Sequence, residues 1–583
     1  MKKKYLDFTS LYNTSPFTIA KGVTYQGYEE IIMQVKKNIN KEKFVLALDL
    51  YPGVDEERII EAFSILNPSK IIKTIDLFKD KEVINKQIKC NLTDDRVFGH
   101  MYYGEIMDFL DLPKLDKAIK TVQKNKGFTL IIGFGAALFS ESDLNILFDI
   151  TRWEIQLRYR KGMSNYKNDN FDEDILKKYK RGFFIEWRIA DKHKIKNIHS
   201  FSYIVDANNR QMPKMISLVD FMHGLYGITQ TPFRTVPYFD QGVWGGQWMK
   251  EGCNLDTQAK NYAWSFDGVP EENAILLNFD GVILEFPALD VVLLYPKELL
   301  GEMVYARYGA EFPIRFDLID TFEGANLSLQ VHPITEYIKK TFGMTYTQDE
   351  SYYIVDTIDK DGGYVYLGLK EGINEEEMIA ELEEAQKGTV PFDVEKYINK
   401  WPAKKHDHFL IPAGTIHCNG SGAFVLEISS TPYIFTFKLW DWGRLGLDGL
   451  PRPVHINHGK EVIQWDRTTS WVKSNLINAI ERIKEDENQI IEHTGLHAFE
   501  PIESERYFIK GLTYHETKNN VQMLNLVEGK EIIIESPSNQ FKPFLVHYAE
   551  TFVVPASVKE YTMRPYGRSE NETCIIMKAY VRF

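Results

Sequence analysis

Asn326-Leu-Ser-Leu-Gln-Val-His-Pro333 alternates apolar and polar residues, Leu327, Leu329 and Val331 against Ser328, Gln330 and His332. A period of two is that of a half-buried strand. Such a strand sends its aliphatic residues into a core and sets the polar ones on the other face. Gln330 and His332 are then two metal-ligand-type side chains on one rigid face, with Pro333 able to end the strand. A lone histidine here fits a packed structural role equally well, so its meaning depends on what the chain supplies downstream.

Two later segments supply candidates. Glu350 lies in Thr347-Gln-Asp-Glu-Ser-Tyr-Tyr-Ile-Val-Asp356, and His417 ends Phe409-Leu-Ile-Pro-Ala-Gly-Thr-Ile-His417, where Pro412-Ala-Gly414 re-aims the chain. Two imidazoles, a carboxylate and an amide oxygen suit Zn²⁺ or another first-row divalent ion with a position left for substrate. The wide separations exclude a zinc-finger spacing and are natural where strands of a barrel converge on its interior.

The frame around this segment is a soluble, multidomain one. A chain of 583 residues exceeds one ordinary core, and 44% apolar with 26% charged residues describes a globular protein. A net charge of −13 excludes a general nucleic-acid binder, which carries a basic face. Cys90, Cys253, Cys418 and Cys574 are scattered without a CxxC pair, as in reduced cytosolic proteins. Met1-Lys-Lys-Lys-Tyr5 has no apolar leader and no run of 18 apolar residues occurs, so a cytoplasmic protein without a membrane partner is expected. Oligomeric state is not legible.

The fold class expected is multidomain α/β plus all-β. Residues 1–230 alternate strands (Lys43–Leu50, Ile71–Leu77, Phe128–Ile132, Phe183–Ile189, Ser202–Val205) with helices near 113–124 and 143–160, the pattern of a mainly parallel sheet. This region resembles a nucleoside-kinase-like module whose phosphate loop is lost. Leu50-Tyr-Pro-Gly-Val-Asp-Glu-Glu57 has one glycine, no lysine and three acids, which would repel phosphate. Ile132-Gly-Phe-Gly135 is a second glycine-bearing turn, and ordinary strand–helix packing accounts for it.

Two prolines in Thr231-Pro-Phe-Arg-Thr-Val-Pro237 mark a boundary. Short β-like runs follow (Ala274–Leu277, Val291–Leu294, Ile314–Ile319), predicting a barrel or jelly roll over 235–460. A helical insert is expected near 374–399, capped by Asn374. Residues 461–583 predict a helix from Trp471 to Lys484 and then a C-terminal β-domain. Pro412-Ala-Gly414 has an echo in Thr551-Phe-Val-Val-Pro-Ala556 with no histidine after it, so that domain is expected to be a second barrel, metal-free and structural.

Trp244-Gly-Gly246, Phe312-Pro313, Leu327–Pro333, Glu350, Ile411–His417, Leu439-Trp-Asp-Trp-Gly-Arg444 and Arg452-Pro-Val-His455 occur in one order. Together they resemble the type I mannose-6-phosphate isomerases, zinc-dependent enzymes of the cupin superfamily. The resemblance spans roughly residues 235–583. It implies one Zn²⁺ per chain held by Gln330, His332, Glu350 and His417, and a sugar-phosphate pocket near Trp244 and Trp264. It also implies interconversion of mannose 6-phosphate and fructose 6-phosphate through a cis-enediol. Glu427, in Ala423-Phe-Val-Leu-Glu-Ile-Ser429, falls where that family has an active-site glutamate, and its apolar strand would raise its pKa.

Two positions depart from the family. Lys438 stands near its arginine, keeping charge without the bidentate fork, and Asp317 stands at its lysine. Arg315, two residues earlier on the same strand face, is the candidate to restore the positive charge together with Lys438. Isomerisation of another phosphosugar and sugar-phosphate sensing without turnover are the rival functions. Cys418 is expected to be a packed thiol, and His406 and His408 a solvated turn.

Overall fold

The computed structural model describes residues 5–358, 362–388, 390–431, 434–495 and 497–583. Residues 1–4 of the N-terminal segment and Thr389 of the expected helical insert lie outside the described residues. The molecule is mixed α/β with several sheets. It forms two compact units: one of residues 17–227 and 274–294, the other of 1–16, 228–273 and 295–583.

The first unit is built on a seven-stranded sheet in the order Thr24–Gln26, Lys214–Ser217, Tyr203–Asp206, Leu144–Asp149, Val45–Leu50, Thr129–Gly133, Lys70–Lys73. The last five run parallel, and Lys214–Ser217 alone is antiparallel to its neighbours on both sides. Val45–Leu50 is buried along its whole length, as a central parallel strand covered on both faces must be. Asp49 at its carboxyl end accepts the Ala137 amide at 2.7 Å and lies 2.8 Å from His193 Nε2. The Gly133–Gly135 turn thus points an amide at a protein carboxylate, which makes it a packing turn.

Several elements differ from the sequence expectation. Phe183–Ile189 is not a strand; it forms a π-helical turn over Gly182–Glu186 that runs into the helix Trp187–Asn197. The segment is buried on every side, so its apolar run carries no period to separate helix from strand. Within 143–160 a strand, Leu144–Asp149, precedes the helix Arg152–Arg160, which Thr151 caps. Val291–Leu294 belongs to a helix, Leu289–Leu294, and Ala274–Phe279 pairs with Val282–Pro287 and Thr18–Ala20 inside the α/β unit. The helix expected over Trp471–Lys484 ends at Asn475, and Glu481–Glu485 is an edge strand exposed along its length. Charge on four of its five residues protects such an edge and also hides its β-character.

Among the described residues the second unit contains four antiparallel sheets. Two of them, six- and five-stranded, carry the segments singled out around His332. Ile314–Asp320 lies between Trp264–Gly268 and Ala423–Ser430, and Glu350–Thr357 lies on the far side of Ala423–Ser430. In the five-stranded sheet Leu329–Val331 pairs with His417–Asn419 and Phe437–Trp440. The insert comprises the helices Glu375–Gln386, where Asn374 accepts the Glu377 amide at 2.9 Å, and Val394–Tyr397. The other two sheets close over a core that includes Ile509, Leu524, Ile534, Phe552 and Ile576.

Trp244-Gly-Gly246 is explained by packing. Asp320 accepts the Met249 and Phe322 amides, each at 2.9 Å, and Gly246 passes so close that a Cβ there would stand 2.0 Å from Asp320 Oδ1. Gly246→Ala is therefore expected to lower unfolding free energy by about 1–3 kcal/mol, measured by denaturant titration.

Candidate metal and acid–base site

The register across the two sheets decides which side chains meet. Gln330 is paired with His417 on one side and with Lys438 on the other, so all three share a face. In the six-stranded sheet Arg315, Ser429 and Glu350 form one row, and Asp317, Glu427 and Tyr352 the next. Val331 precedes His332 at the end of its strand. Pro412-Ala-Gly-Thr415 brings in His417 through a turn in which Gly414 adopts φ +86°, and a Cβ there would meet Gln464 and the Val462 carbonyl. Asp349 fixes the same turn by accepting the Ala413 amide at 2.8 Å.

His332 Nε2 lies 3.0 Å from Glu350 Oε2, and His417 Nε2 lies 2.9 Å from Glu350 Oε1. The three ligand atoms fall within 4.8 Å of one another, and all three residues are buried. His332 Nδ1 faces the Phe435 carbonyl at 3.3 Å, and His417 Nδ1 faces the Thr415 carbonyl at 2.9 Å. A ring nitrogen on a carbonyl oxygen carries the proton, so each Nε2 presents a lone pair toward the carboxylate. His332 Nε2 and Glu350 Oε1 have no hydrogen-bond partner. Burial would raise the Glu350 pKa, but positive charge on the two imidazoles, when they are protonated, outweighs it and holds the carboxyl well below its ordinary range. Two nitrogen lone pairs and a carboxylate around one point are a donor set for a borderline divalent cation. Gln330 Nε2 lies 3.1 Å from His417 Nε2, with Oε1 accepting from Ser328 Oγ. A half-turn of the amide would present Oε1 to the same point.

Beside this cluster sits a second buried network. Arg315 donates through Nη2 to Glu427 Oε1 and through Nε to Ser429 Oγ at 3.0 Å, and Nη2 lies 3.1 Å from Asp317. One guanidinium thus faces two carboxylates. Burial first, then Asp317 and Glu350, push the Glu427 carboxyl well up against the pull of Arg315. Asp317 is raised to about 6, by burial above all. Lys438 is half-buried directly across from Gln330. Trp244 is fully buried edge-to-face on Trp264, with ring centroids 4.8 Å apart, and Trp264 pairs with Ile319, two residues beyond Asp317 on the same strand.

Sequence reading missed Gln348, whose Nε2 donates to Glu350 Oε2 at 2.8 Å and to Glu427 Oε1 at 3.3 Å, linking the two networks. Its position two residues before Glu350 was the available signal. Tyr352 was also missed; its hydroxyl is buried without a partner in the Glu427 row. Cys418 is a packed thiol whose Sγ lies on the Leu327 carbonyl. His408 is not in a solvated turn: it is fully buried in the strand His408–Ile411, and burial pushes its pKa down to about 3. His406 turns the chain at φ +73°, with Nδ1 2.8 Å from the Tyr353 hydroxyl.

The sheets thus bring together a candidate metal cluster and a neighbouring network of buried carboxylates. The chain is 25% identical over 238 residues to the mannose-6-phosphate isomerase ManA of Bacillus subtilis (strain 168), across 41% of this chain and 69% of that one. It is 25% identical over 225 residues to the mannose-6-phosphate isomerase of Streptococcus mutans serotype c, across 38% of this chain and 64% of that one. A solved structure of the mannose 6-phosphate isomerase from Bacillus subtilis matches with a TM-score of 0.48 and 17% identity, over 60% of this chain and all of that one. Residues 27–230 match a family described as a domain of unknown function, DUF8485. Among the described residues no helix is long and apolar enough to cross a membrane.

Glu350→Gln keeps the shape and removes the charge shared by both imidazoles. Divalent-metal affinity should fall by at least the roughly 10- to 100-fold that loss of even an outer partner costs. Titration calorimetry with Zn²⁺ on metal-stripped protein measures it.

Proposed function

We propose that the chain is a metal-dependent aldose–ketose isomerase that interconverts mannose 6-phosphate and fructose 6-phosphate through a cis-enediol. The carrying observation is the buried His332–Glu350–His417 cluster with the Glu427–Arg315–Asp317 network along the same wall. The named relatives support the substrate class. The metal is Zn²⁺, one per chain, held by His332, Glu350, His417 and the Gln330 amide. When bound it supplies a Lewis acid for the negative charge that develops on the oxygens at C1 and C2.

The chain's own residues then have separable tasks. Glu427 moves the proton between C1 and C2. Arg315 and Gln348 both donate to its Oε1, which leaves Oε2 to carry that proton, and its raised pKa brings it toward neutral working pH. Arg315 orients Glu427 and keeps two neighbouring carboxylates compatible. Lys438 holds the phosphate or the developing enediolate charge, and Trp264 with Trp244 forms a rigid apolar wall for the sugar-phosphate pocket. In this reading Arg315 and Lys438 together make up for the arginine and lysine of the resembled family. Asp317 in place of that lysine favours a second reading, the same chemistry on a different phosphosugar.

A coupled assay with mannose 6-phosphate, run with added Zn²⁺ and with chelator, should show turnover only with metal. A fully metallated protein that turns over no hexose phosphate would sink the enzyme assignment. Glu427→Gln should lower kcat by about 10²–10⁴-fold, whereas Lys438→Ala should mainly raise KM.

A base works only when deprotonated, so activity rises with pH through the Glu427 pKa. Asp317→Asn removes a carboxylate that pushes that pKa up. The acid limb of the pH–rate profile should therefore move to lower pH.

A further inference from the structure

Pro412-Ala-Gly-Thr415 serves more than His417. The Gly414 amide donates to the His332 carbonyl at 2.9 Å, and the Ala413 amide donates to Asp349, the neighbour of Glu350. The Thr415 carbonyl takes the His417 Nδ1 proton. One turn is thus bonded to two of the three ligand residues and to the residue before the third. Any displacement of it moves both imidazoles relative to the carboxylate.

The other three carbonyls of the turn are held by residues 464–467. Gly414 O accepts the Gln464 amide at 2.9 Å, while Pro412 O and Ala413 O accept from Arg467 Nη1 at 2.8 and 2.7 Å. The same nitrogen donates to the Thr415 hydroxyl. Among the described residues the guanidinium makes no other hydrogen bond and no ion pair. Trp471 and Phe499 lie against it, with ring centroids at 5.6 and 5.7 Å. Burial lowers its pKa to about 10, against the pull of Asp466 and Asp349, so it stays charged at neutral pH. A cation only 6% exposed, with no carboxylate in contact, costs stability. What it supplies is direction, because a planar guanidinium fixes its donors where a flexible ammonium does not.

We propose that Arg467 is a positioning residue for the metal cluster, fixing the turn that aims His417 at the point shared with His332 and Glu350. The proposal rests on the metal reading given above. The test uses the full-length chain, stripped of metal and titrated with Zn²⁺, and the visible absorption of its Co²⁺-loaded form, which reports ligand geometry. Arg467→Met keeps the length of the stem and removes the donors. It should lower Zn²⁺ affinity by roughly 10- to 100-fold and alter the Co²⁺ spectrum, and Arg467→Lys should recover part of both. A merely structural arginine would lower the melting temperature of the metal-free protein and leave affinity and spectrum as they were, which overturns the proposal. Should Arg467→Met not fold, Thr415→Val decides, because it deletes one acceptor and keeps the shape. Affinity there should fall by about 2- to 10-fold, and an unchanged value overturns the proposal. Glu350→Gln separates the two readings. If it weakens Zn²⁺ binding and Arg467→Met does not, the positioning role alone fails; a wild-type chain that binds no Zn²⁺ overturns both.

Discussion

Two imidazole lone pairs held about 3 Å from one buried carboxylate repel it unless positive charge lies between them. Much of the six- and five-stranded sheets is arranged so that this unfavourable meeting persists. The Thr415 and Phe435 carbonyls fix both ring tautomers, and Asp349 anchors the loop that delivers His417. The histidines come from one sheet and the glutamate from the other. An ion bound there would join the two sheets as well as supply chemistry.

The neighbouring network obeys the opposite rule. At Glu350 the charge that two protonated imidazoles would carry outweighs burial, whereas at Glu427 burial and the carboxylates of Asp317 and Glu350 outweigh Arg315. Two glutamates on adjacent strands of one sheet are thus driven in opposite directions, one toward permanent ionisation and one toward holding a proton. That separation would let one buried cluster offer both a metal donor and an acid–base group, as the proposed function requires.

Legibility in the sequence followed periodicity. Leu327–Pro333 alternates cleanly, so a strand there could be read directly, but it is confined to Leu329–Val331 and buried on both faces where a half-buried strand was expected; the Asn374 cap was legible as it stands. Phe183–Ile189 and Val291–Leu294 could not, because burial on all sides removes the polar face that marks a period. Glu481–Glu485 failed for the reverse reason, four of its five residues being charged and all of them exposed. Gln348 and the internal pairing of Arg315 depend on which strands are neighbours, and cross-strand register is invisible along a single chain.

The order of strands in the last sheet bears on synthesis. Cys574–Val581 lies between Ile502–Ile509 and Gln522–Glu528, so two earlier strands wait for a partner nearly at the end of the chain. Until it arrives, both present unpaired backbone edges, the surfaces most open to wrong pairing. Glu505 likewise waits for Lys578, and its charge keeps the growing sheet edge hydrated until the strand that neutralises it is made.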